Sequence, residues 1–273
     1  MYKRQIHLHG AHVTHFAPTG DAPLLFVSAF SDYQNGKPIR GGVPVIFPWF
    51  GPRAGHPTAP AHGFARTSTW IAESVAEQPD GAIVIVLRLD PNEASQAVWD
   101  HRWVLRHRIT VGTALTMALE IENLGATPFR CEEALHTYFR VSDVRNVEVL
   151  GLENAEYLDK ADGMRRKCQS ADPIRFTAET DRTCVNTLNR CVIADPGLNR
   201  RIVIEKSGSQ STVVWNPWIA KARAMADFGD NEWPFMVCVE TGNVADNTLE
   251  IAPGIRHVTT TTIRRENSDC QQP

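Results

Sequence analysis

Short apolar runs of strand length recur from one end of this 273-residue chain to the other, and no apolar run reaches the roughly 18–20 residues a bilayer-spanning helix needs. The clearest run alternates Leu115, Met117, Leu119 and Ile121 with Thr116, Ala118, Glu120 and Glu122, one face apolar and the other polar. Further strands are expected over 82–89, 103–111, 135–141, 201–205, 212–215, 235–240, 248–251 and 257–263. The last of these contains four consecutive threonines, which are β-branched and suit a pleated surface. Helical spacing is rare. One short helix is expected over 93–99, capped by Asn92, and another after Pro217. Nothing reads as an interdomain linker or a periodic repeat. The pattern predicts an all-β, mostly antiparallel sandwich or barrel, with residues 1–265 as a single domain and 266–273 as a disordered tail.

Composition narrows the function classes. With 42% hydrophobic and 22% charged residues the chain can bury a substantial core without metal or disulfide staples. A net charge of −3 and the lack of a block of like charges argue against nucleic acid as a partner. The first ten residues carry Lys3, Arg4, His7 and His9 but no apolar core of a signal peptide. The six cysteines, Cys131, Cys168, Cys184, Cys191, Cys238 and Cys270, include no CxxC pair and are expected to be reduced thiols. Together these features point to a cytoplasmic protein without a membrane partner.

The usual nucleotide and serine-hydrolase motifs are absent. His7 and His9 would share one face of a strand, as two imidazole ligands do, but no carboxylate stands near, and a polar edge strand with exposed histidines is the plainer reading. Trp49, Trp70, Trp215, Trp218 and Trp233 sit beside polar or turn residues; such aromatic faces suit a sugar, although core packing explains aromatics more often. Glu240 closes the apolar run Met236–Val239. A carboxylate buried there would be costly unless paired or functional.

Four segments gather polar groups at strand ends: Arg40–Gly51 (RGGVPVIFPWFG), His62–Arg66 (HGFAR), Val213–Trp218 (VVWNPW) and Met236–Asn243 (MVCVETGN). Together they resemble the hexose-6-phosphate mutarotase branch of the aldose 1-epimerase superfamily, over about Leu24 to Ile263. The resemblance implies a large antiparallel β-sandwich of the galactose-mutarotase type and interconversion of the α and β anomers of a hexose 6-phosphate. It implies no cofactor and no required metal. His136 matches the family's catalytic histidine and Glu240 its catalytic glutamate, an acid and a base for ring opening. Arg40 and Arg66 match positions near the phosphate, where a guanidinium fork suits the oxygens. Asp181 resembles a substrate-binding aspartate. Relatives carry Gln where this chain has Ala61, a loss for which His62 is a candidate replacement. The expected partner is a small hexose phosphate, bound by a monomer. A mutarotase of unphosphorylated aldoses is the nearest rival, followed by a non-catalytic sugar-binding protein on the same scaffold. A metal-dependent β-barrel enzyme built on His7 and His9 is more distant.

Overall fold

A computed structural model describes residues 3–188 and 190–267. Among these, two eight-stranded antiparallel sheets stand over a common apolar core, with two small two-stranded ribbons at their margins. One sheet holds the alternating run seen in the sequence. Leu115–Asn123 pairs on one side with Trp103–Val111 and on the other with Arg256–Asn267. Leu115, Met117, Leu119 and Ile121 are fully buried, so the two-residue period did mark the core face. The second sheet brings Thr180–Cys184, Ser211–Asn216 and Met236–Asn243 side by side, flanked by Glu133–Leu135 and Tyr138–Arg140.

The two helices form near their expected places. Glu93–Val98 is capped by Asn92, whose side chain accepts from the Ser95 amide while the Ser95 hydroxyl accepts from the Asn92 amide. The second, Trp218–Ala224, follows Pro217. No described helix is long and apolar enough to cross a membrane.

Three expectations change in detail. The stretch 135–141 is not one strand: it breaks at His136 and Thr137, where the His136 amide donates to the Pro44 carbonyl and the Thr137 amide to that of Leu135. Strand Met236–Asn243 runs past Glu240, because Glu133–Leu135 pairs with its last three residues; Glu240 is therefore mid-strand and buried. Strand Arg256–Asn267 extends through Glu266 and Asn267, two residues into the segment read as a tail, while 268–273 and with them Cys270 lie outside the described residues. Cys131, Cys184, Cys191 and Cys238 are buried free thiols and Cys168 is exposed.

The N-terminal histidines are not a uniform exposed edge. His12 is fully buried, with Nε2 2.7 Å from the Gly41 carbonyl, and burial lowers its pKa to about 3. His9 Nε2 lies 2.7 Å from the Lys37 carbonyl, and the His7 ring sits 5.5 Å from Tyr33. Neither His7 nor His9 belongs to a cluster of metal-ligand type among the described residues.

Candidate functional site

Cross-strand register builds the floor of a cleft on one face of the second sheet. Tyr138 and Trp215 both stand opposite Cys238, and Asp181 stands opposite Trp215. One step along, Val213 stands opposite Glu240. The pairings Tyr138↔Cys238 and Leu135↔Thr241 share one register, so His136, although outside the ladder, falls opposite Glu240. Residues opposite each other, or two apart on one strand, share a face. The tetrad Tyr138, Cys238, Trp215 and Asp181 and the triad His136, Glu240 and Val213 thus lie on the same surface. Val214, Val237 and Val239 alternate with them and are buried in the core.

The cleft over this floor has a volume of about 560 Å³. Arg40, His62, His136, Asp181 and Glu240 all line it, so the structure brings five of the six singled-out residues together. Arg66 does not line it. Its guanidinium donates through Nη2 to the Ala61 carbonyl at 2.8 Å, which is the part Ala61 plays here, and Nε is buried without a partner. Burial, with the Arg40 charge nearby, lowers the Arg66 pKa to about 10.

Two glycine contacts set the cleft wall. Gly63 has φ +68°, and a Cβ there would stand 1.9 Å from the Phe47 carbonyl oxygen, which accepts from the Phe64 amide. Gly41 has φ +119°, and its Cβ would meet the Val27 Cα at 2.4 Å. Both positions need glycine, and they hold His62 and Arg40 against the site.

At the centre, His136 Nδ1 lies 3.3 Å from Glu240 Oε1, with the two side chains 9% and 1% exposed. Glu240 Oε2 is buried without a protein partner. Burial raises the Glu240 pKa well above its ordinary value, against the opposing pull of Lys160. Burial also lowers His136 well below its own, helped by His62, Arg66 and Arg40. Both displacements favour uncharged groups and leave one proton on the pair. Tyr138 stacks on the His136 ring at 4.8 Å and 10°, and Trp215 meets it edge-on at 6.1 Å.

The rim is cationic. Arg40 donates through Nε to Asp227 Oδ2 and through Nη1 to the Tyr138 hydroxyl, each at 3.1 Å. Asp181 lies between Lys160, at 3.8 Å, and Lys221, at 3.9 Å. Its carboxyl is raised by burial, which outweighs the two lysines. Lys160 also sits over the Phe50 ring, 4.1 Å from its centroid. Lys160 and Lys221 were not visible from sequence: each stands in an unremarkable surface-like stretch, and only folding delivers them to the cleft. Of the tryptophans considered, Trp215 lines the cleft. Trp49 and Trp70 are buried and satisfied by the carbonyls of Pro60 and Ala65.

Comparison with known proteins shows the chain's family and fold. The aldose 1-epimerase family pattern matches residues 2–264. A protein of Cenchrus ciliaris named provisionally as a glucose-6-phosphate 1-epimerase is 34% identical over 258 residues, covering 92% of this chain and 77% of its own. One of Escherichia coli K12 with the same provisional name is 35% identical over 244 residues, covering 89% and 81%. A crystal structure of a provisionally named mutarotase from Salmonella typhimurium superposes with a TM-score of 0.91 at 31% identity, over 97% of this chain and 88% of that one. A galactose mutarotase related enzyme from Lactobacillus acidophilus shares the fold, with a TM-score of 0.77 at 13% identity over 100% and 97%.

Proposed function

The chain belongs to the aldose 1-epimerase family, and from that premise we propose that it interconverts the α and β anomers of a hexose 6-phosphate by acid–base ring opening and closure. It is an isomerase. The observation that carries the reading is the buried His136–Glu240 pair, 3.3 Å apart on the cleft floor.

Ring opening removes a proton from the C1 hydroxyl and adds one to the ring oxygen. The O–H electrons become the second bond of the aldehyde carbonyl as the bond from C1 to the ring oxygen breaks. Both oxygens are attached to C1, so acid and base must be neighbours, as His136 and Glu240 are. Ionised Glu240 takes the hydroxyl proton and protonated His136 donates its proton to the ring oxygen. The aldehyde carbon rotates about its bond to C2, and closure reverses both transfers. The charged pair has the same number of protons as the uncharged pair favoured by burial, so the reactive form differs from the resting one by a proton shift within the site. Trp215 and Phe50 offer apolar faces to the sugar. Asp181 and His62, which line the cleft, hold hydroxyls in this reading, and Arg40 with the field of Arg66 and the two lysines favours the phosphate. The protein acts on this small molecule in the cytoplasm.

The nearest alternative, a mutarotase of free aldoses, is favoured by one feature: Arg40 is already paired with Asp227 at 3.0 Å, which offsets part of its charge. Anomer-exchange NMR on glucose 6-phosphate, galactose 6-phosphate, mannose 6-phosphate and the free sugars separates the two. Exchange of at least one 6-phosphate should exceed the spontaneous rate and surpass that of its free sugar. No enhancement with any of these sugars would end the mutarotase reading.

A further inference from the structure

Just beneath the cleft floor lies one group that ring opening does not use. Cys238 lies two residues from Glu240 on strand Met236–Asn243, facing the same way, between its cross-strand neighbours Tyr138 and Trp215. It is fully buried. Its Sγ, one imidazole nitrogen of His136 and one carboxylate oxygen of Glu240 all lie within 4.8 Å of one another. Two buried atoms of this group, His136 Nδ1 and Glu240 Oε2, have no hydrogen-bond partner.

We propose that His136, Cys238 and Glu240 form an inhibitory binding site for a thiophilic divalent cation, Zn²⁺ first among them. Sulfur, imidazole and carboxylate are the three ligand types zinc accepts, and three protein ligands leave a fourth position open toward the cleft. A soft thiolate beside an imidazole selects zinc over magnesium or calcium, which prefer oxygen ligands only. Coordination uses the thiolate, the free imidazole nitrogen and the carboxylate, so the Cys238 proton and the one proton held by the His136–Glu240 pair are both released to solvent when the ion enters. Small side-chain rotations would bring the three atoms to bonding distance of a common centre. The ion occupies the lone pairs that the acid and the base need. It therefore blocks proton transfer and competes with the sugar for the floor of the cleft.

The test has a binding arm and an activity arm, and only the second rests on the mutarotase reading. In the binding arm, the purified protein competes for Zn²⁺ with a chromophoric chelator, without any sugar present. Wild type should take up one tightly held ion, and Cys238→Ala should hold it at least about tenfold more weakly. Cobalt-loaded wild type should show a thiolate-to-metal charge-transfer band that is missing from Cys238→Ala. Cys238→Ser, nearly isosteric with wild type, should also lack the band, and it covers the case in which the alanine variant does not fold. In the activity arm, Zn²⁺ should inhibit anomer exchange competitively with sugar and reversibly with EDTA. Cys238→Ala should retain metal-free exchange and resist inhibition. Equal zinc affinity in wild type and either cysteine variant, or no charge-transfer band in wild type, overturns the proposal whatever the enzyme's activity.

Discussion

Glu240 and His136 combine a catalytic requirement with a cost to folding. One base and one acid are needed, and each such group is worth about 10²–10⁴-fold. Glu240→Gln and His136→Ala should therefore each lower anomer exchange by about 10²-fold or more while remaining folded, as followed by NMR after subtracting the spontaneous rate. Near-wild-type exchange in either would remove that residue from the mechanism. The reaction needs one proton on the pair, and adding a second or removing the last stops it. The profile of kcat/KM should be bell-shaped, with limbs that belong to the pair jointly. A corrected profile that stays flat from about pH 4 to about pH 9 would exclude this acid–base assignment. Burial also has a signed effect on stability. The folded state holds the Glu240 proton above pH 4.5, where the unfolded carboxyl has lost it, so Glu240 subtracts stability increasingly as pH rises through that region. Glu240→Gln should accordingly raise Tm at neutral pH, by about 2 °C or more, and the gain should shrink toward pH 4.5. An unchanged Tm at neutral pH would show that the site solvates the carboxylate fully.

At the scale of elements, the site depends on where strands stop and where backbones touch. His136 interrupts what would otherwise be one strand, which frees its ring to stand over the neighbouring one opposite Glu240. The HGFAR segment is held to the cleft through Gly63, where the backbone passes the Phe47 carbonyl. Gly81 has a similar φ, +80°, but nothing within 4 Å of a Cβ built on it. The two glycines therefore separate conformational strain from steric contact. Gly81→Ala should cost only the left-handed strain, about 1–2 kcal/mol. Gly63→Ala should cost more than that and also lower exchange, because relieving the clash displaces His62 and Arg66. Urea unfolding of both variants measures the difference, and equal costs would mean that the Phe47 contact relaxes freely.

For the whole molecule the relevant quantity is the placing of charge rather than its sum. The chain carries a net −3, which weakly repels a phosphate monoester bearing about −1.5 to −2 at neutral pH. Arg40, Lys160 and Lys221 line one cleft, with Arg66 close enough for its charge to depress both histidines of the site. Such local focusing can overcome a small opposing net charge. Charge-assisted hydrogen bonds contribute roughly 1.5–3 kcal/mol, or about 10–150-fold. Arg40→Met should raise KM for hexose 6-phosphates far more than for free hexoses, Arg66→Met should do so to a smaller degree through its field alone, and added salt should act in the same direction. An unchanged ratio of phosphorylated to free substrate in both variants would leave the free-aldose reading in its place.

The alternation at Leu115–Ile121, the threonine run, and the Asn92 cap were legible in the sequence because they depend on local periodicity and local hydrogen bonds. Arg40 and His62, each beside glycine, and the carboxylate following an apolar run at Glu240 were legible as polar chemistry gathered at strand ends. Tertiary structure decided the rest. The sequence does not reveal that Tyr138↔Cys238 and Leu135↔Thr241 share a register, since pairing between strands about a hundred residues apart leaves no local trace. That register places His136 against Glu240 and Cys238 beneath them. Lys160 comes to the cleft from the turn between strands Glu156–Asp159 and Arg165–Cys168, and Lys221 from helix Trp218–Ala224, while Arg66 does not line it and donates to the Ala61 carbonyl. Residue type sets what each group can do. Long-range register sets which groups meet, because only the closed pair of sheets brings distant side chains onto one buried face.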